Sequence, residues 1–172
     1  MERLGRRAMM VVAAARQIQD GQVVNVGMRL PLIAFAVAKK THAPNAVGVF
    51  DAGILRQAPI DQGFFTMCDP VNVRGAAWIT DMLDLMHWMQ AGRVDLGFLG
   101  GAEVDRFGNI NTSYIGDPKA PRVKLPGSGG AADIAGLSRQ TVIIMPHERH
   151  RLVPEVHYIT SLGYGRDGMT RQ

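Results

Sequence analysis

Short apolar runs, each closed by a glycine or an acidic turn former and separated by helix-length stretches, constrain this chain more than any other feature. Val23 to Val26 is one such run and stops at Gly27. Ala46 to Phe50 stops at Asp51, and Val94 to Leu99 stops at Gly100-Gly101. Runs this short, apolar and poor in alternation fit strands buried on both faces. The stretches between them carry helix signals. Met9 to Asp20 is rich in Ala, Met and Val, and Gly21 supplies its stop. Pro31 suits the first position of a second helix ending near Lys40. From Ala77 to Gln90, Ile79, Met82, Leu83, Met86 and Met89 fall close to a 3.6 spacing, and Gly92 follows. Strands alternating with helices predict an α/β fold, a three-layer open and mostly parallel sheet with helices on both faces.

The rest of the chain is read the same way. His42-Ala43-Pro44-Asn45 is a turn, and Asp51 to Gln62 holds turn formers without periodicity. Asp105 to Asn109 reads as a turn between short β segments, Ala102–Val104 and Ile110–Ile115. Gly127-Ser128-Gly129-Gly130 precedes a short helix at Ala131–Leu137, and Thr141–Met145 and Val156–Thr160 read as strands. Open sheets of this class bind ligands beyond the carboxyl ends of their strands. The loops starting at Gly27, Asp51, Gly100 and Gly127 are therefore expected to gather there. The 172 residues fit one domain, 1–172, with no internal repeat.

Composition removes several function classes. No apolar run approaches the ~20 residues of a bilayer span, and Met1 to Arg7 has no signal-peptide pattern. A single cysteine, Cys68, forms no internal disulfide and fits the cytoplasm. The net charge of +4 attracts anions, but the two Trp, three Tyr and six Phe do not interleave with basic residues as nucleic-acid binders require. A phosphate-bearing small molecule or an acidic partner subunit is the better match.

Among the motifs, Asn25 at the end of the first run can donate to a developing oxyanion or be satisfied by nearby backbone. Asp51, at the tip of Val49-Phe50-Asp51-Ala52-Gly53, can act as nucleophile or general base, or simply form a turn. Gly127 to Ala131 can cradle an anion, yet no Gly-Lys-Ser/Thr follows it. Glu103 is a second carboxylate at a strand end, after Gly100-Gly101. His147-Glu148-Arg149-His150 lacks metal-ligand spacing and reads as a solvated basic loop, so no metal is expected. Cys68 reads as an inert, half-buried thiol, and Met82, Met86 and Met89 as core.

Three longer stretches carry a family resemblance. Gly97-Phe98-Leu99-Gly100-Gly101-Ala102-Glu103-Val104-Asp105-Arg106-Phe107-Gly108-Asn109-Ile110-Asn111 is the most specific. Leu125-Pro126-Gly127-Ser128-Gly129-Gly130-Ala131-Ala132-Asp133-Ile134-Ala135 and Lys40-Thr41-His42-Ala43-Pro44-Asn45 follow. In this order they resemble the β subunit of family I coenzyme A transferases, that of the glutaconate enzyme among them, from about Ala8 to Gly165. The resemblance implies an α subunit that completes the site and an acyl-CoA and a free carboxylate as substrates. It implies no resident cofactor, coenzyme A being present only as a substrate thioester. A carboxylate nucleophile would carry CoA as an enzyme thioester. Asn25 matches an asparagine near the oxyanion position, and Gly129 and Gly130 match the glycine loop beside the thioester. Gly27, Gly53, Gly100 and Gly101 are expected to wall the substrate.

The family glutamate falls at Asp51, one methylene shorter, and a family glycine falls at Arg56. The chain is also short at its C-terminus beside family β subunits. Members of the fold without the glutamate hydrolyse or decarboxylate acyl-CoAs, and a non-catalytic structural subunit is the third alternative.

Overall fold

The computed structural model of the chain describes residues 5–59 and 66–165. In chain order the elements are α1 (Arg6–Ala15), β1 (Val23–Asn25), α2 (Leu30–Thr41), β2 (Val47–Phe50), β3 (Ile54–Arg56) and β4 (Ala76–Ile79). They continue with α3 (Met82–Gln90), β5 (Leu96–Leu99), β6 (Glu103–Val104), β7 (Ile110–Asn111), β8 (Tyr114–Asp117), β9 (Ala120–Lys124), α4 (Ala131–Leu137) and β10 (Gln140–Ile143). The chain divides into two compact units, residues 1–98 with 138–144, and residues 99–137 with 145–172.

The first unit holds a six-stranded sheet in the order β10-β5-β1-β2-β3-β4. β1 runs parallel to both β2 and β5, while β3 returns antiparallel to β2 and β4 antiparallel to β3. The sheet is therefore mixed, with a parallel centre and an antiparallel edge. The strand alternation sorts the core into two layers. Val24, Phe50, Ile54, Leu96 and Phe98 pack with Val11, Ala14 and Ala15 of α1 and Leu32, Phe35 and Ala38 of α2. Val49 and Leu55, their sequence neighbours, turn to the other face and pack with Leu85 and Trp88 of α3. Helices thus cover both faces, as the sequence predicts.

Gly48 shows how closely the layers approach. A Cβ there would lie 2.9 Å from the Phe35 ring, and Phe35 meets Phe50 edge to face at 6.2 Å. A buried aromatic of this kind is worth roughly 2–3 kcal/mol. The turn between α2 and β2 is fastened by polar groups. Lys39 Nζ donates to the carbonyls of Pro44 and Ala46, and the His42 ring lies against the carbonyls of Ala15 and Ile18. Asn45 gives two bonds to Asp20, at 2.7 and 2.9 Å. The motif Lys40 to Asn45 thereby joins the end of α1 to the start of β2.

The second unit contains the β6–β7 hairpin and the β8–β9 pair, both antiparallel, with α4 following. Asp105 closes the first hairpin by accepting from the backbone N–H groups of Phe107 and Asn109 and from the Asn109 amide.

Several sequence expectations need correction. The Ala77–Gln90 helix begins at Met82, where Asp81 caps it by accepting from Asp84 N–H at 2.9 Å. Ala76–Ile79 before it is an edge strand. The buried stripe of α3 is Leu85 and Met89, whereas Met82 and Leu83 are exposed. Of the three methionines read as core, Met89 is buried, Met86 is half-buried and Met82 is exposed. Asp51–Gln62 contains β3, which the turn formers around it concealed; residues 60–62 lie outside the described residues. Val156–Thr160 is not a strand despite its β-branched content. It is irregular, because bonds from Thr112 N–H to Thr160 Oγ1 and from His157 to Glu103 replace a regular ladder. Cys68 is exposed rather than half-buried.

Candidate functional site

Asn25 is the last residue of β1 and pairs in register with Val49 of the neighbouring parallel strand. Asp51 is the first residue after β2, so both side chains leave the carboxyl ends of adjacent central strands. The structure brings them into contact, with Asn25 Nδ2 donating to Asp51 Oδ1 at 2.9 Å. Asn25 is 0% exposed, and its own Oδ1 is buried with no partner among the described residues. Asp51 is half-buried, and no hydrogen bond from the described residues reaches Oδ2. Burial pushes the Asp51 carboxyl above its ordinary range, and the Asn25 bond offsets only part of this.

The turn that presents Asp51 is a three-residue hairpin loop, Asp51-Ala52-Gly53, in which Gly53 N–H donates to Phe50 O at 3.0 Å. Gly53 has φ +88°, and a Cβ on it would lie 2.0 Å from Thr80 O. The backbone of Thr80 in turn donates to Gly53 O at 2.7 Å. Glycine is thus required by geometry at this position. Gly27, which follows Asn25 by two residues, sits where a Cβ would be 3.2 Å from Phe98 O.

Arg56, where the resemblance places a glycine, is buried away from solvent. Its guanidinium donates to the carbonyls of Ala58, Pro59, Val71, Asn72 and Arg74. It fastens the segments on either side of residues 60–65 and is engaged with backbone.

Gly100, Gly101, Gly129 and Gly130 belong to the second unit. A Cβ at Gly101 would meet Ile110 Cγ2 at 2.7 Å, so the hairpin needs the glycine. Gly129 has φ +49° and precedes α4 with Gly130, and nothing lies within 4 Å of a Cβ built on either. In the same unit Glu103 is buried and fully engaged. Asn111 Nδ2 donates to Oε2 at 2.8 Å, His157 N–H to Oε2 at 3.1 Å, and His157 Nδ1 lies 2.8 Å from Oε1. Burial alone would raise this carboxyl, but the donors outweigh it and hold it below the ordinary range. Sequence reasoning noted Glu103 but missed His157, because 54 residues separate them and no local motif announces the pair.

Among the described residues no group of three or more His, Cys, Asp or Glu could hold a metal ion, and no helix is long and apolar enough to cross a membrane.

Comparison with known proteins gives this arrangement its family. The coenzyme A transferase family model matches residues 7–172. The B-subunit of 3-oxoadipate CoA-transferase from Pseudomonas knackmussii is 39% identical over 95% of this chain and 63% of its own length. The B-subunit of glutaconate CoA-transferase from Acidaminococcus fermentans is 36% identical over 92% of this chain and 60% of its own length. Among solved structures, glutaconate coenzyme A-transferase from Acidaminococcus fermentans superposes with a TM-score of 0.83 at 33% identity, covering 92% of this chain and 62% of that one. The decarboxylase AibA/AibB superposes with a TM-score of 0.80 at 36% identity, covering 88% and 64%. A mixed sheet with a parallel centre, covered by helices on both faces, is the fold shared with the coenzyme A transferase structure. The chain belongs to the coenzyme A transferase family. It spans somewhat under two thirds of the length of the curated relatives it matches most strongly.

Proposed function

We propose that the chain is the β subunit of a cytoplasmic, two-subunit coenzyme A transferase. It would move CoA from a short dicarboxylic acyl-CoA to a free carboxylate. The observation that carries this reading is the Asn25–Asp51 contact at the ends of two parallel strands, with one carboxylate oxygen held and the other unengaged. The names of the two similar B-subunits, 3-oxoadipate and glutaconate, support a dicarboxylic acyl group and an α subunit.

The chemistry needs no resident cofactor. Asp51 Oδ2 attacks the thioester carbonyl, the C–S bond breaks, and CoA leaves as thiolate from a mixed anhydride. The thiolate then attacks the Asp51 acyl carbon, and the donor acid departs carrying one oxygen that began on Asp51. The acceptor carboxylate reverses both steps on the aspartyl-CoA thioester. A carboxylate nucleophile conserves the thioester's free energy, which water would dissipate. A raised pKa makes Asp51 a more basic nucleophile, and Asn25 fixes its orientation. Within the first unit, the loops at Gly27 and Gly53 are assigned to the wall beside the acyl group; Gly100, Gly101, Gly129 and Gly130 of the second unit are proposed separately, from the family resemblance, as backbone that contacts coenzyme A.

The test is peptide mass spectrometry of the α/β complex after acyl-CoA and hydroxylamine. The expected result is a hydroxamate on the peptide carrying Asp51. An unmodified peptide, with free acid and CoA accumulating in the absence of an acceptor, defeats the transferase reading in favour of hydrolysis. The 36% identity to a decarboxylase supports a second reading, in which Asp51 handles a proton. Release of CO2 without an acceptor identifies it in the same assay.

A further inference from the structure

We propose that Arg29 is a specificity residue that binds the distal carboxylate of a dicarboxylic acyl-CoA. This rests on the acyl-CoA reading above. Arg29 has φ +64° and ψ −110°, and among the described residues it is the one non-glycine with positive φ. That backbone suits glycine and strains a long L side chain. The fold does not require an arginine there. Arg29 starts α2 only through its carbonyl, which accepts from Ile33 N–H at 3.2 Å, and its side chain makes no capping bond. The residue is exposed, and among the described residues its guanidinium has no hydrogen bond or ion pair. Among the described residues nothing offsets the strain.

Placement and charge suggest what offsets it. Arg29 lies four residues beyond Asn25, in the loop that leaves the carboxyl end of β1 beside the Asp51 turn. A second carboxylate on the acyl group would be repelled by Asp51 unless a cation stood nearby. Residues 26–29 and 51–53 form the two loops leaving these strand ends, and Arg29 is their one cation. Arg56, on the strand after Asp51, is occupied by backbone carbonyls. Lys39 is likewise buried against Pro44 and Ala46. At the same strand end, the buried Asn25 Oδ1 is a second polar group with no partner among the described residues. A guanidinium matches a carboxylate with two parallel N–H donors, which gives direction as well as charge.

The experiment compares glutaryl-CoA with butyryl-CoA by calorimetry on the assembled α/β complex, for the wild type, Arg29→Gly and Arg29→Lys. Glycine accepts the backbone conformation, so the variant folds and unfolds no earlier than the wild type. Arg29→Gly is expected to weaken glutaryl-CoA ~10-fold or more while leaving butyryl-CoA within ~2-fold, with Arg29→Lys recovering part of the loss. Equal weakening of both esters, or of neither, overturns the assignment. So does a loss of α-subunit affinity with ester preference unchanged. A wild-type complex that binds both esters but transfers CoA from neither defeats the transferase reading alone, since the affinity comparison does not depend on turnover.

Discussion

Replacing Gly53 by alanine tests whether the Asp51 turn is held by close backbone contact. The new Cβ would stand 2.0 Å from Thr80 O and 2.6 Å from Thr80 C, at φ +88°. Either the turn or the start of the β4–α3 connection must then move, and the 2.7 Å bond from Thr80 N–H to Gly53 O is lost or lengthened. The left-handed backbone costs about 1–2 kcal/mol, and overpacking adds about 1–3 kcal/mol. Gly21 supplies the control. Its φ is +80° but nothing lies within 4 Å of a Cβ there, so Gly21→Ala carries the backbone cost alone. Urea unfolding followed by circular dichroism should place Gly53→Ala about 1–3 kcal/mol below Gly21→Ala. For a chain of this size that is roughly 2–12 °C in melting temperature. Because Asp51 rides on the same turn, turnover should fall as well. Unfolding midpoints for the two variants that agree within about 0.5 kcal/mol would refute the steric argument.

Three further outcomes are expected. Arg56→Gly, which restores the residue the family resemblance places there, should destabilise the chain by about 3 kcal/mol or more, since several carbonyls lose their donor; a change under about 1 kcal/mol in chemical denaturation would contradict this. Asp51→Asn should lower turnover about a thousandfold or more with acyl-CoA binding nearly intact. At pH 8 the same variant should match or exceed wild-type stability, because a raised carboxyl pKa penalises the ionised native form, and this advantage should vanish as pH falls below the ordinary aspartate value of 3.8. Glu103→Gln should fold at pH 7, its oxygen accepting from Asn111 and its amide nitrogen facing His157 Nδ1. It should also lose the wild type's acid sensitivity, since a depressed carboxyl contributes stability above 4.5 that disappears as pH drops through its folded value; urea midpoints between pH 3 and pH 7 that stay parallel for the two proteins would count against it.

The central strands were legible because β-branched runs buried on both faces leave no other period. β1, β2 and β5 fell within the runs read for them, and α4 began and ended where Gly130 and Leu137 predicted. The antiparallel edge was hidden for a physical reason. β3 is three residues long and ends in a charged Arg56, whose burial depends on carbonyls contributed by residues up to Arg74. No local pattern encodes that. β4 was absorbed into a helix because Ile79, Met82, Met86 and Met89 mimic a helical period, although Ile79 and Met82 are exposed. At the candidate site, Asn25 and Asp51 were both legible as strand-end polar residues. Their contact was not, because it depends on the parallel register that places Asn25 opposite Val49. The motif from Lys40 to Asn45 signalled family but not chemistry, since its bonds fasten α1 to β2.

Asp51, just after β2, and Glu103, at the start of β6, have surroundings that argue for different work. Every face of Glu103 is engaged. One oxygen meets the His157 ring, and the other takes donors from Asn111 and the His157 backbone. Held below its ordinary range and removed from solvent, it is weakly basic and both of its oxygens are already bonded within the unit. Asp51 is placed the opposite way. Burial raises its carboxyl, which increases the basicity of the oxygen, and its sole hydrogen bond from the described residues occupies Oδ1. Carboxyl groups pushed apart in pKa by their environments commonly divide structural and chemical duties. The same reasoning refines the role of Asn25. In the mechanism proposed above, one amide N–H of Asn25 is committed to Asp51 Oδ1, so its part is to orient the carboxylate and only its second N–H remains for an oxyanion. If Asp51 attacks as proposed, the one-methylene retreat from glutamate moves its oxygen by ~1.5 Å, a displacement that can cost ~100-fold in rate. Fixing the carboxylate's orientation through a fully buried Asn25 limits further loss of alignment, so Asn25 matters more to an aspartate here than it would to a longer, freer side chain.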